Sequence, residues 1–156
     1  MKHSVKIITL ILITVLFVSM LPPMANAMSN VEEHTEYIYF EDGSYLKISI
    51  TSIETRSLGS RSGSKKMEYT NSNGEILWYA ILRGNFTYDG TIAVCNSSSC
   101  DVVINASNYE IVSKTVGKRS NYAYVNLTIG LRLLGVLINE ENYSLTLSCS
   151  KDGILS

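Results

Sequence analysis

From residue 37 onward the chain alternates apolar and polar side chains, in short runs rich in Ile, Val, Tyr, Thr and Leu separated by Gly, Asn, Ser and Asp. A period of two sends successive side chains to opposite faces of a strand, so the pattern predicts an all-β protein. Residues 37–40 and 45–53 flank Glu41-Asp42-Gly43-Ser44. Asp-Gly between alternating segments predicts a tight hairpin, because glycine accepts the positive φ of the turn. In the second arm Leu46, Ile48 and Ile50 share one face. Asn71-Ser72-Asn73-Gly74 predicts a second hairpin between 65–70 and 76–83, and Asp89-Gly90 a third between 86–88 and 91–95. Shorter strands are expected at 102–104 and 109–114, then a turn at 117–121. Two longer strands, 122–133 and 136–149, follow, with a bend or bulge at Leu134-Gly135. Together these predict a compact antiparallel β-sandwich or partly open barrel.

One stretch breaks the alternation. Residues 7–18 are continuously apolar behind Lys2 and Lys6, Pro22 and Pro23 follow, and Ala25-Asn26-Ala27 places small side chains where a signal peptidase reads. This segmentation predicts a cleaved signal peptide over 1–27, cut between Ala27 and Met28. A transmembrane anchor is the weaker reading: about a dozen apolar residues fall short of the roughly 20 that cross a bilayer. The richest later run, 129–138, contains Arg132 and two glycines, so no stable membrane insertion is expected after cleavage. No cysteine stands at the cleavage site for a lipid, which makes the expected product free, secreted and extracellular. The expected order is then a hairpin segment at 28–53, a Ser/Gly-rich linker at 54–63 and the β-sandwich domain at 64–156.

Loss of Lys2 and Lys6 leaves 11 of the 13 basic residues against 14 acidic ones. A mild acidic balance argues against nucleic acid as a partner, which calls for a basic footprint. All three cysteines, Cys95, Cys100 and Cys149, lie in the part expected to be exported, where disulfides persist. Cys95–Cys149 closes the longer loop, worth about 4 kcal/mol in the chain-entropy account. Cys95–Cys100 would close only a tight Asn-Ser-Ser-Ser segment. The longer pairing is favoured, with Cys100 as the free thiol.

Catalytic material is thin. His34 is the one histidine after residue 27 and falls in the acidic N-terminal segment, a poor place for a held imidazole. No phosphate loop, dinucleotide fingerprint or calcium loop occurs. Glu68, Glu75, Asp89, Asp101 and Glu110 are carboxylates that any chain of this size offers. The expectation is no enzyme, no metal and no cofactor. Binding has more to work with, because all ten tyrosines lie beyond residue 27. Trp78, Tyr79, Tyr122 and Tyr124 are the candidate binding aromatics, suited to stack on sugars or pack on a protein. Core packing is the stronger reading of Trp78. Asn85, Asn96, Asn105, Asn126 and Asn142 head Asn-x-Ser/Thr triplets that an Asn/Ser/Thr-rich chain also produces by chance.

The stretch Tyr69-Thr70-Asn71-Ser72-Asn73-Gly74-Glu75-Ile76-Leu77-Trp78, then Gly84-Asn85-Phe86-Thr87-Tyr88-Asp89-Gly90, Cys95 and the close from Leu145 to Ser156 resemble a family of small secreted proteins of Gram-positive, gut-type clostridial bacteria. That family's function is unknown. The resemblance implies a cysteine in each of two strands, which adds weight to Cys95–Cys149. It also implies a bacterial origin that makes the triplets incidental. The function expected is a secreted non-catalytic interaction module for cell-wall glycan, host glycan or an exported protein. A bacteriocin-like or toxin-like effector is the alternative, and a small hydrolase the third.

Overall fold

The computed structural model describes residues 31–54 and 59–156. The expected signal peptide and its Ala27/Met28 junction lie outside the described residues. Eight strands follow one another: β1 (Val31–Tyr39), β2 (Tyr45–Glu54), β3 (Ser60–Thr70), β4 (Ile76–Tyr88), β5 (Ala93–Ile104), β6 (Tyr109–Arg119), β7 (Tyr122–Leu133) and β8 (Val136–Ser148). They form two antiparallel sheets, β1-β2-β3-β4-β5 and β6-β7-β8, each pairing strands in chain order. The sheets face each other as a sandwich and do not close into a barrel, and no helix occurs among the described residues.

The turns follow their chemistry. Asp42 Oδ1 accepts from Ser44 N at 3.0 Å and Ser44 Oγ at 2.6 Å, while Gly43 takes the positive φ that closes the turn. Asn71 Oδ1 in the same way accepts from Asn73 N and Glu75 N ahead of Ile76. Where the expected strands stopped short, the physical reasons are local. β4 runs unbroken through Gly84, because that glycine gives space to the Phe86 ring; a Cβ there would stand 2.6 Å from Phe86 Cζ. Residues 96–99, expected as a loop, belong to β5, where Ser97 and Ser99 pair with Asn85 and Arg83 of β4. Part of the expected linker is also strand. Residues 61–63 pair with both β2 and β4, so the N-terminal hairpin joins the large sheet directly. Residues 55–58 of that linker lie outside the described residues.

Between the sheets lie Trp78, Leu82 and Phe86 of β4, facing Val125 and Leu127 of β7 and Leu145 and Leu147 of β8. Each fully buried large side chain stabilises the fold by about 1.5–3 kcal/mol. The small sheet covers β3, β4 and β5, and the β1–β2 hairpin projects beyond it as a wing. Ile38 on the inner face of that wing is therefore exposed, although Leu46 beside it is buried.

Candidate functional site

The inward positions of β8 read Asn139, Glu141, Tyr143, Leu145, Leu147 from start to end. One strand thus presents polar groups to one end of the sandwich and apolar groups to the other. At the polar end the sheets leave a cavity of about 230 Å3. Tyr69 of β3, Tyr109 at the start of β6 and Tyr143 of β8 line it, with Ile129 and Leu131 of β7 as its apolar wall. Asp42, Asn139 and Glu141 supply its polar groups. A second, more open hollow of about 270 Å3 shares Asp42, Tyr69 and Glu141 and adds Phe40, Glu41 and Ser44. No Lys, Arg or His lines either.

Both carboxylates at the shared boundary are held. Tyr143 Oη donates to Glu141 Oε2 at 2.5 Å, and Asn139 Nδ2 donates to Oε1 at 3.2 Å. Asp42 is fixed by Ser44, whose hydroxyl also accepts from Tyr69 Oη at 3.1 Å. The Ser44 hydrogen bonds hold the Asp42 carboxyl below its usual range, so it is ionised at neutral pH. Burial, and then the Glu141 carboxylate, push the Tyr143 phenol well above its usual range. Burial raises Tyr109 as well, with Tyr69, Glu141 and Asp42 adding to it. Both phenols stay protonated at neutral pH, the Tyr143 proton already given to Glu141. The rings form a connected set: Tyr69 stacks on Trp78 at 5.8 Å, Tyr143 meets Trp78 edge-on at 4.7 Å, and Tyr109 lies 6.4 Å from Tyr69. Arg132, at the same end of the sandwich, is engaged by Glu110 at 2.7 Å and by the Gly135 carbonyl at 2.6 Å.

The aromatics singled out from the sequence do not converge. Trp78 is fully buried and supports the cavity from behind through Tyr69 and Tyr143. Tyr79 faces outward on the large sheet with Lys66 Nζ 4.6 Å from its ring. Tyr122 and Tyr124 share the outer face of the small sheet, their rings 6.2 Å apart. Sequence reasoning missed Tyr69, Tyr109, Tyr143, Asp42 and Glu141. The polar-to-apolar run along β8 carries a signal for Glu141 and Tyr143 alone.

The opposite end is shut. Cys95 N donates to Ser120 O at 2.7 Å and Cys149 N to Asn121 O at 2.9 Å, so the two cysteines grip the β6–β7 turn by their backbones. The C-terminal residues fold over this end, Ser148 and Ser156 exchanging backbone hydrogen bonds and Leu155 packing on Gly63. All three cysteines are buried free thiols. This corrects the expected Cys95–Cys149 bridge and the assignment of Cys100 as the single free thiol. Each sulfur instead donates to a nearby carbonyl: Cys95 to Ser97 O, Cys100 to Asp101 O and Cys149 to Ser150 O. The shorter Cys95–Cys100 link is excluded by geometry. Five residues of extended strand separate those Cα atoms by roughly 16 Å, beyond disulfide reach. His34 lies in β1, exposed and paired with Ile50, rather than in a loose terminus. Among the described residues no three His, Cys, Asp or Glu side chains gather as a metal site. Comparison with protein-family models, curated proteins and solved structures finds no match to the chain.

Proposed function

We propose that this chain is a secreted, non-catalytic binding module that uses the tyrosine-lined cavity to recognise glycan. The single observation behind this reading is the cavity itself: three tyrosines, two fixed carboxylates and an amide at the open end of a rigid sandwich. Aromatic faces stack on the apolar faces of sugar rings, while fixed acceptors and donors orient the hydroxyls. Rings carried on strands and braced by a buried Trp78 lose little conformational freedom on binding. The apolar leader supports export, and the resemblance to Gram-positive secreted proteins supports cell-wall or host glycan as the setting. A protein ligand offers the same aromatic contacts and is the competing outcome.

Retention of the purified protein on cell-wall and glycan fractions tests the reading. Wild-type protein is expected to be retained, and Tyr109→Ala and Tyr69→Ala to lose at least tenfold in affinity while keeping the wild-type circular dichroism spectrum. Undiminished retention of both variants would overturn the cavity as the site. Release of reducing ends from the bound glycan would overturn the non-catalytic reading.

The effector alternative draws on one observation at the same end. The β7–β8 hairpin tip carries Leu133, Leu134, Val136 and Ile138 exposed, with Leu134 97% accessible. An exposed apolar tip marks an interaction surface. Growth inhibition of neighbouring bacteria, abolished by Leu134→Ser, would favour that reading over the glycan module.

A further inference from the structure

We infer that the cavity selects a protonated amine, so that the glycan it takes carries free amino sugars. The inference rests on the glycan-binding reading above and adds the chemistry of the ligand. Asp42 and Glu141 both line both hollows, Glu41 lines the outer one, and no basic side chain lines either. A ligand that covers these carboxylates strips water from them, which is unfavourable unless it returns charge-assisted hydrogen bonds. A neutral sugar returns hydroxyl hydrogen bonds but leaves the carboxylate charges unbalanced, and an acidic sugar or phosphate polymer adds repulsion. An ammonium group at the shared boundary supplies a positive charge beside Asp42 and Glu141, the two carboxylates common to both hollows.

The rings point the same way. Tyr69 lines both hollows and Tyr109 and Tyr143 line the inner one beside the same carboxylates, and a cation against an aromatic face is attracted by the ring's quadrupole. Ionised Asp42 and donor-held Glu141 are set before any ligand arrives, so little reorganisation accompanies binding. A lysine side chain carries the same ammonium. Two adjoining hollows that meet at the carboxylates suit consecutive rings of an oligosaccharide better than one unbranched stem. Each hollow is below the size of drug-like pockets, about 300–1,000 Å3, and admits a single ring.

The test is calorimetric titration of the purified protein with a glucosamine tetramer, its fully N-acetylated counterpart, and Nα-acetyl-lysine methylamide. The amine tetramer is expected to bind at least tenfold more tightly than the acetylated one, with that preference shrinking as salt rises. Glu141→Gln and Asp42→Asn, on different elements, should each bring the ratio of the two toward one. Equal affinity for both tetramers, or a preference untouched in both variants, would overturn amine selection and leave glycan binding standing. Failure of both tetramers to bind would overturn the glycan reading and this inference with it. A lysine derivative as tight as the amine tetramer would overturn the sugar and leave the ammonium.

Discussion

The two ends of this sandwich are built from the same strands and differ in what their inward positions carry. Along β8 the series runs from Asn139 and Glu141 to Leu147, and along β4 from Trp78 to Phe86. At the Phe86 end the strands are drawn together by Cys95, Cys149 and a C-terminal segment folded back over them. At the Trp78 end, bulky tyrosines and hydrogen-bonded carboxylates keep the sheets apart. Packing wins at one end and a solvent-accessible polar cluster survives at the other. An antiparallel sheet permits this, because register and backbone pairing are indifferent to the side chains that project from them. A closed end supplies the stability against which an open end is kept.

The largest break in the contrast comes from the residue that serves both ends. Trp78 lies in the core and braces Tyr69 and Tyr143, so Trp78→Ala leaves a cavity in the first and removes support from the second. Urea denaturation is expected to show a loss of about 3–5 kcal/mol. A smaller loss without change in ligand affinity would mean that the two ends are energetically separate.

Substitutions confined to one end separate stability from recognition. Gly84→Ala drives a methyl into the Phe86 ring at the closed end. Overpacking of this kind costs about 1–3 kcal/mol, and glycan affinity should stay as it was. Tyr109→Ala at the open end should do the reverse, losing about 1 kcal/mol or less of stability, as suits a half-exposed ring, and at least tenfold in binding. Melting curves and retention assays on the pair would show whether stability and recognition divide along the long axis.

How far the sequence announces this division depends on the interaction involved. The hairpins were legible because Asp42-Gly43, Asn73-Gly74 and Asp89-Gly90 encode them locally, and the alternation of Ala123, Val125, Leu127 and Ile129 announced the buried face of β7. The length of β4 and β5 was not legible. Gly84 and the polar run Asn96 to Ser99 look like breaks, yet Gly84 accommodates a ring and the polar run hydrogen-bonds to the neighbouring strand. Cys95 and Cys100, five apart, should face opposite sides of a regular strand. A bulge opposite Asn85 and Phe86 returns both to the core, which no period-two count foresees. The cavity was hidden because Asp42, Tyr69, Tyr109 and Tyr143 lie on separate elements and meet only through the folding of one sheet over the other.

Alkali is expected to act on the closed end before the open one. Burial raises the thiols of Cys95, Cys100 and Cys149 above their ordinary value of 9.0, and burial raises Tyr109 above its ordinary 10.0. A group whose pKa is higher folded than unfolded contributes stability that is complete below its unfolded pKa and is lost as pH rises through the folded one. The thiol contribution should therefore decline from about pH 9 upward, ahead of the tyrosine contribution. Thiol-reagent titration is expected to find three slow thiols in the native protein and three fast ones after denaturation. Recovery of only one thiol after denaturation would restore the disulfide that the structure lacks.

The smallest effect sits in the β1–β2 turn and tests whether the open end is preset. Ser44 joins two walls of the cavity, donating to Asp42 and accepting from Tyr69. Ser44→Ala removes both side-chain links and keeps the backbone bond from Ser44 N to Asp42. The Asp42 carboxyl should then titrate higher, nearer its ordinary range, because the first of the hydrogen bonds that lower it has gone. With its folded pKa depressed, Asp42 contributes stability present above its unfolded pKa and lost as pH falls through the folded value. The variant should differ from wild type at neutral pH and converge with it in acid. Carbon-detected NMR titration of the Asp42 carboxyl checks this directly. An unmoved carboxyl would mean that the backbone alone fixes Asp42, and that the tyrosines surround a carboxylate they do nothing to hold.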